Sequence, residues 1–255
     1  MFQKEKIYIA GPECFYTGGY DMLAAMRAES IAKGFGVTLP NDHPLDMENP
    51  DLRKRADSIF ADLKAIMLDT TVVIADLEAY RGSEPDSGTI YELGMAYAKG
   101  ARCYGYTRDK RPLVWKDQKY TLKEGKVYDE HGKEAPYKDL PFSPCIIAST
   151  KIAEGDYGDC LKMLMTDIEE EKKYKGLRGY SVDYTAAKTY KSDRPVVYLA
   201  GPERYDKDAK EIYKKRKELC ASYGLQAFTP ADWAEGVEKM DTDCPYTAAA
   251  NQFDS

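Results

Sequence analysis

Histidine is nearly missing from this chain: His43 and His131 are the only two. That scarcity excludes His-rich metal sites and most Ser-His-Asp arrangements, so acid, base or nucleophile chemistry must fall mainly to carboxylates and tyrosines. Cys-x-x-Cys pairs are missing too. The six cysteines, Cys14, Cys103, Cys145, Cys160, Cys220 and Cys244, are scattered, which fits reduced thiols in a cytoplasm rather than a disulfide framework. No apolar run approaches the ~20 residues of a membrane span. Met1-Phe2-Gln3-Lys4-Glu5-Lys6 leads into no long apolar region, so neither a membrane anchor nor a signal peptide is expected. Positive charge is not in excess either. A formal net charge of -6 is the wrong sign for an electrostatic nucleic-acid binder.

What is present suits a globular protein. The 255 residues, 43% hydrophobic and 31% charged, allow one large or two modest domains with a sizeable core. Lys6-Ile7-Tyr8-Ile9-Ala10 reads as a buried strand stopped by Gly11-Pro12. Residues 19–33 space Met22, Leu23, Met26 and Ile31 as a helix closing at Gly34, with Met22, Leu23 and Met26 expected in the core. Val37-Thr38-Leu39 is a second short strand. Residues 50–68 form an amphipathic helix with Leu52, Ile59, Leu63 and Ile66 on one side and Asp57 and Asp62 among its polar positions. Residues 71–77 are a third strand. A turn-rich Arg81-Gly82-Ser83-Glu84-Pro85 then precedes a helix to about Gly100, which Asp86 or Ser87 can cap. A strand at 102–106 follows. Such alternation predicts a doubly wound parallel α/β sheet with helices on both faces, its ligands at the carboxyl ends of the strands after Ala10, Leu39 and Leu77.

Residues 107–143 break the alternation as a Lys- and Tyr-rich excursion, read as a solvated loop with a small hairpin and a turn at Asp129-Glu130-His131-Gly132. Residues 144–149 return as an apolar strand and 156–174 as a helix. The polar stretch 175–194 reads as a linker. Beyond it Val197-Tyr198-Leu199-Ala200-Gly201-Pro202-Glu203 restates Ile7-Tyr8-Ile9-Ala10-Gly11-Pro12-Glu13, and the same offset pairs Gly34 with Gly224, Pro40 with Pro230 and Asp42 with Asp232. A tandem duplication follows: a first domain over 1–174 and the N-terminal part of a second over 195–255. The second copy stops at Ser255 before any counterpart of residues 86–96, so either the chain is a fragment of a longer protein, the favoured expectation, or the second copy is a vestige.

The stretch Asp86-Ser87-Gly88-Thr89-Ile90-Tyr91-Glu92-Leu93-Gly94-Met95-Ala96 sets a carboxylate in the first turns of a helix, where the positive end of the dipole favours its ionised form. Together with the strand Ile7 to Pro12, with Asp62, and with Ala75-Asp76-Leu77, this ordered set resembles the nucleoside 2-deoxyribosyltransferase family. Residues 152–161 are similar to the family's last loop and helix. The resemblance implies a flavodoxin-like fold and transfer of a 2-deoxyribosyl group between nucleobases through a covalent sugar ester, in nucleotide salvage. It places Glu92 as nucleophile, Tyr8 as the tyrosine that orients it, Asp62 as the carboxylate near the base and Asp86 near the sugar 5′-hydroxyl. Gly11, Gly88 and Thr89 join the substrate-binding set. Ser143 and Cys145 stand where the family has an Asn-x-Met pair reached from a neighbouring subunit, and Ser brings no amide donor.

The residues support that chemistry on their own terms. A carboxylate adding at C1′ divides glycosidic cleavage into two easier steps, and a protonated carboxyl, for which Asp62 is the candidate, eases departure of the base. Asp86 would repel a 5′-phosphate and so favours nucleosides. Deoxynucleosides and free bases are the expected partners, with neither metal nor organic cofactor, and a homo-oligomer or internal pseudo-dimer is expected. Two other readings stay open: an N-glycoside hydrolase, and a non-catalytic nucleoside-binding module.

Overall fold

Within Lys6–Ala10, Ile7 and Ile9 alternate with Tyr8 and Ala10, and in the computed structural model this segment is strand β1 of a five-stranded sheet. The structure describes residues 2–173, 194–229 and 232, apart from positions 3, 41, 117, 118 and 136. A short 3₁₀ turn, Pro12–Phe15, leads from β1 into α1 (Gly19–Ala32) and β2 (Gly36–Thr38). Then come α2 (Leu52–Asp69), β3 (Val72–Asp76), α3 (Ser87–Ala98) and β4 (Arg102–Thr107). A hairpin, β5 (Thr121–Lys123) and β6 (Lys126–Tyr128), precedes α4 (Pro144–Ser149), β7 (Lys151–Glu154) and α5 (Tyr157–Lys173). The large sheet is parallel throughout, in the order β2-β1-β3-β4-β7. This is the flavodoxin-like doubly wound order, in which the winding reverses between β1 and β3 and opens a crevice at their carboxyl ends.

The two-residue period of each strand divides the core. Ile7, Ile9, Val72, Ile74, Tyr104 and Tyr106 point to one face, where Leu23 of α1 and Leu161 and Leu164 of α5 cover them. Tyr8, Ala10, Val73, Ala75 and Cys103 point to the other, beneath Leu63, Ile66 and Met67 of α2, Leu93 and Ala96 of α3 and Ile146 of α4. One consequence governs the site: Tyr8 shares its face with α2 and α3.

Three local expectations fail for physical reasons. Residues 144–149 form the helix α4, not a strand, because Ser143 caps it by accepting from the Cys145 amide and Pro144 sits in its first turn, where a missing N–H costs nothing. Met22 is 45% exposed, since the buried stripe of α1 runs through Gly19, Leu23 and Ser30 and leaves Met22 at its margin. On α2 Leu63 and Ile66 are buried, yet Leu52 is 72% and Ile59 44% exposed. The helix has 18 residues against five in β1, roughly 27 Å against 17 Å, so its N-terminal half runs past the sheet.

In the excursion Glu124 and Gly125, both at positive φ (50° and 79°), join β5 to β6, as a two-residue hairpin turn requires. Asp129 to Gly132 makes a second turn, closed by Gly132 N–H donating to Asp129 O at 3.0 Å. Contacts divide the described elements into two compact units, and this hairpin groups with β8 (Val196–Tyr198), α6 (Ala209–Ser222) and β9 (Gln226–Phe228) rather than with the large sheet. β8 pairs in parallel with β9. These elements lie 190 positions after β1, α1 and β2. Two ion pairs recur at that spacing: Arg27 with Asp42, and Lys217 with Asp232. Tyr198 is 55% exposed where Tyr8 is buried. The expected linker lies almost wholly outside the described residues. Among the described residues no helix is long and apolar enough to cross a membrane.

The turn between β1 and α1 leaves no room at Gly19, where an added Cβ would sit 1.6 Å from the Glu13 carbonyl oxygen, whereas Gly94 has nothing within 4 Å. Gly19→Ala is expected to lose about 2–3 kcal/mol, and Gly94→Ala in mid-helix to gain about 0.5–1 kcal/mol. Chemical denaturation of both variants checks the pair of signs.

Candidate active site

Tyr8, buried on β1, donates its hydroxyl to Oε1 of Glu92 at 2.7 Å, joining residues 84 apart in the chain. Asp86 creates the helix that carries Glu92: its Oδ2 accepts from the Thr89 amide at 3.0 Å and from the Thr89 hydroxyl at 3.2 Å, capping α3. Thr89 is thereby buried in the first turn, beside the exposed Gly88. The other Asp86 oxygen has no hydrogen-bond partner among the described residues and is free for a ligand hydroxyl.

Burial pushes the Glu92 carboxyl up to about 7, with Asp86 and Glu13 adding to the rise and the Tyr8 hydrogen bond opposing it. Near neutral pH the group is therefore poised between its protonated and its ionised form. Burial and the charges of Glu92 and Asp62 raise the Tyr8 hydroxyl far above the usual phenol range, so it stays a donor. Asp62, on α2, acts on Tyr8 through that charge, and its Oδ1 lies 2.5 Å from His43 Nδ1. Tyr8, Glu92, Asp62 and Asp86 thus gather around one crevice. Ser143 and Cys145 do not join them by hydrogen bonds: Ser143 caps α4, and Cys145 is exposed.

Four participants escape a reading of the sequence. Glu13, on the turn after β1, is wholly buried and accepts from the Tyr106 hydroxyl at 2.9 Å. Its Oε2 meets no donor among the described residues, and Gly11 is glycine because a Cβ there would fall 2.0 Å from that oxygen. Asp76, at the end of β3, accepts the Glu78 amide at 2.8 Å and faces Glu13. Burial raises both carboxyls, and their mutual repulsion raises Asp76 further. A single proton shared between the two would supply the missing donor. Cys14 lies within the field of Glu92, Glu13 and Asp86, which with burial keeps its thiol protonated. Tyr16 lies within the field of Asp76, Glu13 and Asp86 and, with Phe15, packs against the Tyr80 ring at centroid distances of 6.0 and 6.1 Å. Only the recurrence of Gly-Pro-Glu at Glu203 signals Glu13 in the sequence. Among the described residues no group of three or more His, Cys, Asp or Glu side chains is placed to hold a metal ion.

A buried carboxyl held by a phenol donor, with a second carboxyl alongside, has the groups that nucleophilic and acid–base chemistry require. The family model described as nucleoside 2-deoxyribosyltransferase matches residues 7–155. An uncharacterized protein of Schizosaccharomyces pombe is 44% identical over 46 residues, which are 18% of this chain and 22% of that protein. The chain therefore spans about a fifth of that relative's length. A solved structure described as a 2-desoxiribosyltransferase from Leishmania mexicana is 24% identical, covering 63% of this chain and 97% of its own, with a TM-score of 0.47.

The buried acid pair makes stability depend on pH. Because the folded carboxyls are raised, the folded protein keeps protons that the unfolded chain releases above about pH 4. Stability accordingly falls as pH rises from there through the folded values, and then levels off. Asp76→Asn offers Glu13 a permanent donor and removes one titrating group. The drop in Tm between about pH 5 and pH 8 is expected to be smaller in the variant than in the parent; an equal or larger drop contradicts the shared proton.

Proposed function

Because the chain belongs to the nucleoside 2-deoxyribosyltransferase family, we propose that it moves a 2-deoxyribosyl group from one nucleobase to another by double displacement on Glu92. The observation that carries this reading is the 2.7 Å hydrogen bond from the Tyr8 hydroxyl to Glu92 Oε1. Ionised Glu92 attacks C1′, Asp62 protonates the departing base, and the ester left on Glu92 is opened by a second base. Tyr8 holds one carboxylate oxygen still, leaving the other for the sugar. The unpartnered oxygen of Asp86 accepts the 5′-hydroxyl, and its charge disfavours a 5′-phosphate. Gly11, Gly88 and Thr89 shape the sugar side, and the rings of Phe15, Tyr16 and Tyr80 offer a flat apolar surface for the base.

We also read the recurrence of elements at 190 positions as a tandem duplication, with domains over 1–174 and 195–255 joined by the linker 175–194. Nucleotide salvage in the cytoplasm is the setting that fits these substrates. A neighbouring subunit would supply the contact expected at Ser143 and Cys145. Hydrolysis is the competing reading, favoured by the Ser143 hydroxyl, whose oxygen already accepts from the Cys145 amide and leaves the sugar less enclosed. Free deoxyribose released as fast without an acceptor base as with one would select it.

Mixing a 2′-deoxynucleoside with a different free base is expected to yield the exchanged nucleoside. Glu92→Ala should lower the rate by about 10⁴-fold or more; full retention of exchange contradicts the assignment. Since only the ionised form attacks, kcat/KM should rise with pH through about 7, the value to which Glu92 is raised. Tyr8→Phe removes a bond that favours ionisation, so this limb should move up by about one pH unit. A limb that stays put or moves down would show that Tyr8 does not act on Glu92.

A further inference from the structure

His43 is one of two histidines in the chain, and its ring meets the carboxylate assigned to the base. Its Nδ1 lies 2.5 Å from Asp62 Oδ1, and no other hydrogen-bond partner of Asp62 exists among the described residues. The two ends of the pair differ in exposure: the Asp62 side chain is 10% accessible, the imidazole 54%. The loop that presents His43 is fixed on both sides. Asp42 accepts the Leu39 amide at 2.9 Å and pairs with Arg27, while the Asp46 amide donates to Ser58 Oγ at 3.1 Å. The anchor does not require the pair. In the second segment Asp232 accepts the Thr229 amide and pairs with Lys217, yet the sequence there carries Trp233 and Gln252 at the offsets of His43 and Asp62.

We propose that His43 is a proton relay between solvent and Asp62, a positioning residue that acts on the base only through that carboxyl. This rests on the transferase reading and deepens it. Asp62 gives the proton on Oδ2 to a nitrogen of the departing base as the C1′–N bond breaks and its electron pair stays with the base. His43 then passes its Nδ1 proton to Oδ1 and takes one at Nε2 from a solvent acid, which leaves a neutral imidazole of the other tautomer and a reprotonated Asp62. Base exchange creates the need for such a path. A purine that leaves protonated at N7 is replaced by one whose common form in solution carries its hydrogen on N9. An enclosed carboxyl cannot return the one proton for the other without an outlet. An ion pair held for stability alone would contribute little at this exposure.

The test is steady-state release of base over many turnovers, in which Asp62 must regain its proton in every cycle, from 2′-deoxyadenosine and from 7-methyl-2′-deoxyguanosine, whose base is already cationic and departs without a proton. His43→Gln keeps a hydrogen-bond donor toward Asp62 but cannot relay. It is expected to slow release from 2′-deoxyadenosine by about 10- to 100-fold and to leave release of 7-methylguanine unchanged. Imidazole in the buffer should restore His43→Ala toward the parent rate. Equal slowing with both substrates, no slowing with either, or no recovery with imidazole would overturn the relay. Failure of the unaltered protein to release either base would instead overturn the transferase reading itself.

Discussion

The hydrogen bond from Tyr8 to Glu92 ties the first strand of the sheet to the helix that follows its third strand, and most of what surrounds it exists to make it possible. Tyr8 faces α3 because strand side chains alternate, and Glu92 faces Tyr8 because Asp86 starts α3 at one defined residue. Slipping β1 by one residue would turn Tyr8 to the opposite face. Moving the cap by one residue would rotate Glu92 by about 100° around its helix. Two local signals thus position a contact between residues far apart in the chain.

That contact sits in a field of like charges. Glu92, Asp86, Glu13 and Asp76 gather at the carboxyl ends of β1 and β3, and each that is buried finds its proton harder to lose. Separate devices restrain the repulsion: a phenol on Glu92, a helix N-terminus on Asp86, and the raised, proton-retaining carboxyls of Glu13 and Asp76. A carboxyl raised to about 7 is the result, and such poise suits the role proposed for Glu92, which must attack as an anion and later leave as one. Asp62 is paired instead with the half-exposed His43, and on the proposed reading this separates the acid that serves the base from the anion that serves the sugar.

Much of this was legible in the residues. The alternation of Ile7, Tyr8, Ile9 and Ala10, the cap at Asp86 and the strand-helix rhythm predict the sheet, while only the family resemblance singles out Tyr8, Asp62, Asp86 and Glu92 as one set. What stayed hidden depends on three-dimensional pairing. Glu13 and Asp76 meet only because β1 and β3 are neighbours, and Cys14, in the 3₁₀ turn after β1, comes within the field of Glu92 only through the fold. His43 looked like one of two stray histidines until the loop after β2 was placed against α2. The apolar run at 144–149 concealed a Ser-Pro helix start, and the length of α2 beyond the sheet is invisible to a periodicity that records direction and not reach.

The central claim is that Glu92 carries the sugar between the two half-reactions. A 2′-deoxy-2′-fluoro arabinonucleoside, whose fluorine slows both formation and breakdown of a glycosyl ester, tests it by trapping. After incubation without an acceptor base, proteolysis and mass spectrometry should find one fluorinated deoxypentosyl group on the peptide that contains Glu92, removable on adding a free base and absent from Glu92→Gln. Base release with no adduct, or an adduct on any other residue, would contradict the account.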